Sequence, residues 1–402
     1  MDEKLFMELV AVSSVIAERS RVSILREQSK TIVSEINALK QGVFVVAGLR
    51  GTGKTTLLAE IYRQEKQALF VNAEILLRHS TRLLDFSHYA LAKGYQTFLI
   101  DEIHVLSEWE KDIKILYDET KGKIVLSGSS AIILKAKGSE LGRRARTFEL
   151  KPFSFREYLI FQTKKQFPII MLKDIINPAI RIELQKQVLP YIHYFGPYCN
   201  FDALPAAYFE KNKEVYVNII ERIIRYDLVS LREVDSLYLE NIFRIIKAIA
   251  SSSPGELSYS GLASSLGIGI KLAKQMVSLL QQTGMIYLVP PSGAGKKAVR
   301  KEEKILMPLS FRTALCNHNN LPVPAGAVRE DFFIQHLPHC RYLKTGIERR
   351  TPDFVFGKYI FEVGGPSKST EQIKRMENAY LVKEAAPLTE RELPLYLFGF
   401  LY

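Results

Sequence analysis

The residues with the clearest chemical signature form one short string, GLRGTGKTT, which runs from Gly48 to Thr56. Its spacing, Gly-x-x-x-x-Gly-Lys-Thr, is typical of a loop whose backbone N–H groups surround phosphate oxygens. In such a loop Lys54 reaches the β- and γ-phosphates, and the hydroxyl of Thr55 binds Mg²⁺. The predicted nucleotide-binding residues are Gly48, Leu49, Arg50, Gly51, Thr52, Gly53, Lys54, Thr55 and Thr56.

A pair of acids, Asp101 and Glu102, follows the apolar start of TFLIDEIHVL, a run that begins at Thr97. An ionised carboxylate buried without a partner is very costly, so acids at the end of a buried strand favour a functional role. We expect Asp101 to hold Mg²⁺ and Glu102 to orient and polarise an attacking water. The alternative is a pair of solvated acids at a strand end.

Two further groups could complete a hydrolytic site. The run KIVLSGSSA supplies the hydroxyls of Ser127, Ser129 and Ser130, and we single out Ser129 as a residue that senses the γ-phosphate or the water. The same Ser-Gly-Ser-Ser sequence is also common in turns. Downstream, Arg143 and Arg144 are candidates for an arginine finger, which stabilises charge in the transition state. A basic, solvated loop is the alternative for the arginines.

The elements around these residues must bring them to one edge of a sheet. GVFVVAG, before Gly48, is a short apolar run of the kind expected for a parallel strand covered on both faces. After Lys54, Leu57, Leu58 and Ile61 form one helical stripe. Strand, glycine loop and helix follow in order, so the predicted fold class is α/β, with a mostly parallel P-loop sheet.

Composition limits the class of protein without naming a partner. The 402 residues are 47% hydrophobic and 24% charged, as in soluble globular chains, and a chain of this length predicts about three domains. The 55 Lys and Arg exceed the 43 Asp and Glu, and the net charge of +12 favours nucleic acid or other polyanions as partners. A diffuse basic surface is the alternative.

The remaining compositional features favour an intracellular protein. The three cysteines are far apart and indicate neither a disulfide framework nor a zinc site. Acidic residues lie before and within the N-terminal run LFMELVAVSSVI, and no apolar segment reaches membrane length. We therefore expect a cytoplasmic protein that does not enter a membrane.

Longer motifs carry a family resemblance. The glycine loop, DEIHVLSEW, SGSS, GRRARTFELKPFSFREY and YIHYFGPYCNFDALPAAYFE resemble, in that order, a prokaryotic family of AAA-type ATPases. The resemblance runs through most of the chain and implies ATP as the nucleotide, a P-loop ATPase domain over residues 1–151 and a helical lid over 152–235. It also implies a C-terminal domain over 313–402 that resembles PD-(D/E)xK nucleases. The family's glycine-rich segment before the lid proline reads FGPYCNFDALP here, so we expect the lid to differ in detail.

Residues 236–312 predict a winged-helix-like domain. The pattern is helix, SYSGLASSLGIG, helix and MIYLVPP. The second helix turns Lys271 and Lys274 outward, and the turn SGAGKKAVRKEEK places Lys296, Lys297 and Arg300 at a wing tip. These five residues are candidates for contacts with double-stranded DNA. The alternative is a spacer or protein-docking module with solvated charges.

The last cluster of acids lies around RRTPDFVFGKYIFEVGG. Two short β-runs flank Gly357-Lys358, which suits a two-residue hairpin turn and puts Asp353 opposite Glu362. Like charges across a ladder repel, so this pair needs a cation beside it. The nuclease resemblance implies Mg²⁺ as that cation, with Glu330 as the third ligand.

The nuclease pattern also requires a lysine two residues after the second acid, where this chain has Gly364. Candidates for a lysine from another element are Lys344, Lys368 and Lys374. Absence of the lysine is the simpler inference, so we expect a degenerate, nuclease-like domain without cleavage. In the alternative, Arg349 or Arg350 pairs with the two acids of an exposed hairpin.

These features predict Mg²⁺-dependent ATP binding and hydrolysis that drives a conformational switch, with DNA as a candidate partner. One alternative is a nucleotide-gated protein-interaction switch without DNA, and another is an ATP-regulated, metal-dependent nuclease. The oligomeric state stays open. It decides whether Arg143 or Arg144 acts on the nucleotide of its own copy or of a neighbouring one.

Overall fold

The computed structural model describes residues 1–22, 24–129, 138, 140–231, 234–255, 257–293, 302–343, 352–384 and 389–402. The chain divides into two compact units. The N-terminal unit consists of Met1–Pro152, Arg222–Glu233 and Gln282–Gly284, and the C-terminal unit consists of Phe153–Glu221, Val234–Gln281 and Met285–Tyr402. Most of the predicted lid therefore groups with the predicted winged-helix-like and nuclease-like domains, whereas Arg222–Glu233 groups with the predicted ATPase domain.

The N-terminal unit is built on a five-stranded parallel sheet. Its strands are β1 (Gly42–Ala47), β2 (Ala68–Asn72), β3 (Thr97–Asp101), β4 (Lys123–Gly128) and β5 (Ala145–Glu149). They lie in the order β2-β3-β4-β1-β5, and every neighbouring pair is parallel. This arrangement confirms the predicted α/β class and parallel sheet.

Helices cover both faces of this sheet. They are α1 (Glu3–Arg19), α2 (Glu27–Asn37), α3 (Lys54–Gln64), α4 (Ala73–Arg78), α5 (Leu83–Ala92) and α6 (Trp109–Glu119). Val43 and Val45 of β1 pack in a core with α1, α5 and α6, whereas Phe44 and Val46 pack in a second core with α2 and α3. Alternate residues of one strand thus enter two cores, which is why its sequence is a continuous apolar run.

The C-terminal unit is mainly helical. Its helices of five or more residues are Phe155–Thr163, Leu172–Ile176, Pro178–Val188, Pro205–Glu210, Val215–Arg222, Ser236–Ser251, Tyr259–Leu266, Ile270–Gln282, Phe311–His318 and Ala325–His336. Across the described segments of the whole chain, no helix is long and apolar enough to cross a membrane.

The region predicted to be winged-helix-like contains three successive helices and then a two-stranded antiparallel ladder of β6 (Tyr287–Val289) and β7 (Lys304–Leu306). Within Ile270–Gln282, Ala273, Met276, Val277 and Leu280 are buried, whereas Lys271 and Lys274 are exposed, as predicted. The interpretation of these elements as a winged helix stays a prediction.

A second sheet lies near the end of the chain. Its strands are β8 (Phe354–Phe356), β9 (Tyr359–Gly364), β10 (Ala379–Lys383) and β11 (Glu392–Pro394), in the order β11-β10-β9-β8. Strands β8 and β9 form the predicted hairpin, with Phe356 paired to Tyr359 across a turn in which Gly357 has a φ of +57°. The hairpin register is confirmed, whereas the nuclease-like fold stays a prediction.

Candidate nucleotide site

The loop between β1 and α3 depends on its glycines for two different reasons. Gly51 and Gly53 have φ angles of +86° and +98°, a left-handed region that costs other residues about 1–2 kcal/mol. Gly48 is constrained by space instead, because a Cβ there would lie 2.3 Å from the carbonyl oxygen of Leu150. The predicted order of strand, glycine loop and helix is present, and α3 begins at Lys54.

Lys54 is buried within this loop. Its Nζ donates to the carbonyl oxygens of Gly48 at 3.0 Å and Leu49 at 3.1 Å. Both acceptors are neutral, and an ammonium forms stronger, charge-assisted hydrogen bonds with phosphate oxygens. The loop thus stores a positive charge next to the N-terminus of α3, which also favours anions.

Asp101 meets Thr55 although their elements are not neighbours. Strand β4 lies between β1 and β3, so the ends of β1 and β3 are about 10 Å apart. Thr55, at the start of α3, spans this gap and its Oγ1 donates to Asp101 Oδ2 at 2.8 Å. Ser127 Oγ donates to Asp101 Oδ1 and accepts a 3.3 Å hydrogen bond from the backbone N–H of Glu102. Hydroxyl groups therefore fix the position of the carboxylate.

The electrostatic surroundings of Asp101 leave it short of positive charge. Burial, and then the charge of Glu102, raise the pKa of Asp101, and the opposing effects of Ser127, Thr55 and Lys54 are smaller. A cation beside the carboxylate would relieve this cost. Carboxylate and hydroxyl oxygens are hard donors of the kind Mg²⁺ prefers, so Asp101 and Thr55 would suit a magnesium ion.

Glu102 begins the connection after β3 in a left-handed backbone conformation, with φ +55° and ψ +38°. Its carboxylate is largely buried. Oε1 lies 3.5 Å from Arg50 Nη2, and Oε2 lies 3.3 Å from Nδ1 of His104. The sequence-predicted water-orienting acid thus lies beside the loop residue Arg50, at the carboxyl edge of the sheet.

Arg50 and His104 have a further partner that the sequence analysis missed. Asp227 Oδ1 lies 3.4 Å from Arg50 Nη2 and 3.3 Å from His104 Nε2. Glu74 Oε1 is also 3.6 Å from Arg50 Nη2. His104 is the last residue of the string DEIH and could have been noticed there, whereas Asp227 lies in a run whose only sequence signal is helical.

Arg26 is the other missed residue, and it lies behind the loop. Its Nη1 donates to the carbonyl oxygens of Thr52 and Lys151, both at 2.8 Å, and its Nη2 donates to Pro152 O at 3.1 Å. In a trans peptide, C=O and the following N–H point in opposite directions. Holding the Thr52 oxygen toward Arg26 therefore turns the Gly53 N–H away from Arg26.

The remaining predicted catalytic residues occupy different edges of the sheet. Ser129 is buried just after β4, at the same edge as the loop, but the hydroxyl that contacts Asp101 belongs to Ser127. Arg143 and Arg144 precede β5, and parallel strands place them at the opposite edge, about 16 Å away. Arg144 Nη1 pairs there with Asp118 Oδ1 at 3.1 Å. A role for either arginine at the nucleotide stays a prediction.

The second predicted acidic site forms what we call the C-terminal cluster, which consists of Lys304, Glu330, Asp353, Glu362 and Lys368. Lys304 Nζ pairs with Glu330 and lies 3.1 Å from Asp353 Oδ1. Lys368 Nζ lies 2.6 Å from Glu362 Oε1. Burial is the largest cause that raises the pKa of Glu330 and of Glu362 to about 7 each. Lysine ammonium groups thus lie where the sequence analysis expected a metal cation.

Lys368 also explains why position 364 is glycine. A Cβ on Gly364 would lie 2.6 Å from Cβ and Cγ of Lys368, so the lysine stem packs over the glycine and carries its ammonium to Glu362. Among the residues that the structure describes, no three His, Cys, Asp or Glu side chains are grouped to hold a metal ion. Lys344, Arg349 and Arg350 lie outside the described residues.

Two of the five candidate DNA contacts lie within the described residues, and three lie outside them. Lys271 and Lys274 are exposed on the helix Ile270–Gln282, as predicted, and Lys274 Nζ lies 5.2 Å from the centre of the Tyr259 ring. Lys296, Lys297 and Arg300 lie outside the described residues, as does Ser130, so the wing-tip contacts stay a prediction.

Comparison with known families matches two segments of the chain. Residues 40–159 match an AAA domain, and residues 203–308 match a domain of unknown function, DUF8612. The first segment contains the glycine loop, Asp101 and Glu102, and the second contains Asp227.

Three relatives also match. An uncharacterized protein of Methanocaldococcus jannaschii is 28% identical over 375 residues, which cover 84% of this chain and 79% of that protein. A second uncharacterized protein of that organism is 23% identical over 61% of this chain and 54% of its own length. An uncharacterized protein of Haemophilus influenzae is 27% identical over 33% of this chain and 38% of its own length.

Among solved structures, a Pyrococcus horikoshii protein described as a Signal Transduction ATPase with Numerous Domains (STAND), with a tetratricopeptide repeat sensor, matches with a TM-score of 0.23. It is 14% identical, and the match covers 79% of this chain and 45% of that one. A TM-score of this size does not define a shared fold. The AAA domain match and the five-stranded parallel sheet support a P-loop, AAA-type ATPase domain in the N-terminal unit.

Proposed function

We propose that this protein binds ATP with Mg²⁺ at the glycine loop and hydrolyses it slowly, and that hydrolysis drives a conformational switch. The observation that carries the proposal is the 2.8 Å hydrogen bond between Thr55 Oγ1 and Asp101 Oδ2. It joins the first turn of α3 to the acid at the end of β3, a strand that is separated from β1 in the sheet by β4. A turn that merely resembled a phosphate loop would not require this convergence.

Each residue has a role that follows from its position. Lys54 exchanges the Gly48 and Leu49 carbonyls for β- and γ-phosphate oxygens, and the loop N–H groups donate to the same anion. Thr55 and Asp101 would hold the metal ion, which would supply positive charge beside the phosphates. Glu102 orients a water molecule for attack and accepts its proton.

The test is ATP turnover, measured as phosphate release, with Glu102→Gln beside the wild type. We expect the variant to retain Mg²⁺-dependent ATP binding and to lose at least about 100-fold in kcat, because an amide cannot accept the proton. Glu108→Gln is the matched control, since Glu108 is an exposed acid a few residues away that pairs with Lys111. Turnover by Glu102→Gln at the wild-type rate would contradict the proposal.

Double-stranded DNA is the partner that the exposed lysines of Ile270–Gln282 favour, because their charges suit phosphate contacts. The same turnover assay, with and without duplex DNA, separates this from a protein-interaction switch. DNA-stimulated turnover that falls with salt and is lost in Lys271→Glu supports the first. Turnover that is insensitive to DNA and salt favours a protein partner. Cleavage is not proposed, because the acids of the C-terminal cluster are already paired with lysines.

A further inference from the structure

Four side chains, Glu102, Arg50, His104 and Asp227, form a closed ring of contacts. Arg50 lies 3.5 Å and His104 lies 3.3 Å from the Glu102 carboxylate. The same two residues lie 3.4 Å and 3.3 Å from Oδ1 of Asp227. None of these four pairs joins Asp227 to Glu102. Asp227 instead contacts Arg50 and His104, the two residues that contact Glu102.

The segment that carries Asp227 has an unusual place in the chain. Arg222–Glu233 belongs to the N-terminal unit, whereas the chain before it, Phe153–Glu221, and after it, Val234–Gln281, belongs to the C-terminal unit. Within the segment, Ile223–Asp227 is a π-helical turn, a local widening of the helix that is frequent at functional sites. Asp227 thus contributes a carboxylate to the N-terminal unit, although the chain on either side of its segment belongs to the C-terminal unit.

A second contact fixes the start of this segment. Arg222 Nη2 donates to both carboxylate oxygens of Glu74, each at 3.1 Å, and Glu74 is itself 3.6 Å from Arg50. Arg50 therefore lies among three carboxylates, and two of them are connected to the segment. A displacement of Arg222–Glu233 would change how the charge of Arg50 is shared.

Asp227 is suited to this task because it is buried and ionised. Its side chain is only 4% exposed. Burial alone would raise the pKa of Asp227, but the hydrogen bond and charge of His104, with the charges of Arg50 and Lys54, outweigh it and lower the pKa. Charges interact strongly where water is excluded, so a change in the position of this carboxylate changes its electrostatic interaction with both Arg50 and His104.

We propose that Asp227 is a positioning residue for Glu102, and that through it the segment Arg222–Glu233 sets the rate of ATP hydrolysis. With Asp227 in place, His104 divides its interactions between two carboxylates and Arg50 divides its interactions among three. Without Asp227, His104 interacts with Glu102 alone in these pairs and Arg50 interacts with it more strongly, so Glu102 accepts a hydrogen bond from water less well. The hydrogen bonds described above for Lys54, Thr55 and Asp101 do not involve Asp227, so we expect hydrolysis to fall while affinity is retained. This inference rests on the proposed function.

The experiment measures kcat and KM for Mg²⁺-ATP in Asp227→Asn, which keeps the side-chain size and removes the charge. We expect kcat to fall about tenfold with KM within about twofold of wild type, a split that indicates loss of an interaction that matters in the transition state. Asp227→Glu should recover part of the rate. The matched control is Asp112→Asn, which removes a charge that pairs with Arg82 at 3.0 Å in the same unit.

A double-variant cycle adds a readout that a purely structural role would not move. Single-turnover hydrolysis in a Glu102→Gln background should be unchanged by Asp227→Asn, because the residue that Asp227 positions is already inactive. An unchanged kcat in Asp227→Asn alone would overturn the inference, and so would a tenfold loss that persists in the Glu102→Gln background. A wild-type chain that binds ATP without turnover would contradict the proposed function itself, and the inference would fall with it.

Discussion

Burial raises the pKa of acids in two clusters of this chain, but the groups that contact those acids differ. In the nucleotide site, Asp101 accepts hydrogen bonds from the hydroxyls of Thr55 and Ser127. In the C-terminal cluster, Glu330 and Asp353 share the ammonium group of Lys304. The hydroxyls are neutral, so Asp101 keeps its deficit of positive charge, whereas the C-terminal acids have cations from the chain itself.

This difference indicates what each cluster can do. A buried carboxylate held by hydroxyl groups can gain a cation without losing one, which suits a site that binds and releases a metal–nucleotide complex. An acid paired with a lysine must lose its partner before it can take another cation. The ion pairs of the C-terminal cluster therefore connect strand β7, the helix Ala325–His336 and the hairpin β8–β9.

The largest effect that separates the two clusters is expected for Lys304→Met. Removing the ammonium leaves Glu330 and Asp353 without their shared cation, and breaking a buried ion pair costs about 3 kcal/mol or more. We expect the free energy of unfolding, from urea denaturation followed by circular dichroism, to fall by about 3 kcal/mol. ATP turnover of the folded variant should stay at the wild-type rate.

Lys374→Met is the control for this change, because Lys374 is exposed in the same domain and its loss should cost less than about 0.5 kcal/mol. Equal stability of Lys304→Met and Lys374→Met would show that the ammonium does not hold the C-terminal cluster together. The contrast between the clusters would then be wrong.

The two sites also differ in how far the sequence predicted them. The glycine loop is contiguous, and its neighbours in the sequence, the apolar run GVFVVAG and the helical stripe after Lys54, specified β1 and α3. Asp101 and Glu102 could be placed beside the loop because the carboxyl ends of parallel strands share one edge. The hairpin register followed from the two-residue turn at Gly357.

Residues whose roles depend on distant chain segments could not be predicted in this way. Arg26 reaches Lys151, 125 residues away, and Asp227 reaches His104, 123 residues away. Neither residue lies in a local pattern that indicates chemistry. Lys304 and Lys368 were missed as partners of the acids for the same reason, although Lys368 was among the candidate lysines. Their contacts exist only once the tertiary fold brings the segments together.

A smaller effect, on the affinity for Mg²⁺-ATP, is expected when Arg26, which holds the glycine loop from behind, is replaced. Arg26→Gln removes the charged donor that holds the Thr52 carbonyl, so the Gly53 N–H is no longer fixed in direction. We expect Kd for Mg²⁺-ATP, measured by calorimetric titration, to rise about tenfold, which corresponds to about 1.4 kcal/mol. Arg63→Gln is the control, since Arg63 pairs with Glu60 on α3 and does not contact the loop through that pair. An unchanged Kd in Arg26→Gln would argue that the loop holds its own shape.

The last effect concerns the pH dependence of stability, and it arises in the C-terminal cluster. Burial is the largest cause that raises the pKa of Glu362 to about 7 in the folded chain, compared with about 4.3 in an unfolded chain. The folded state therefore binds this proton more tightly. Its contribution to stability is complete below about pH 4 and is lost as the pH rises through about 7. The melting temperature should fall by a few degrees between about pH 5 and pH 8.

Glu362→Gln tests the origin of this slope, because the amide keeps the shape and cannot titrate. The melting temperature of the variant should change less with pH than that of the wild type. Glu371→Gln, at an exposed position, should keep the wild-type dependence on pH. A wild-type melting temperature that rises over the same range would mean that Lys304 and Lys368 outweigh burial and keep the acids ionised. The C-terminal cluster would then be neutralised more completely by its lysines, which would sharpen its contrast with the cation-deficient carboxylate of Asp101.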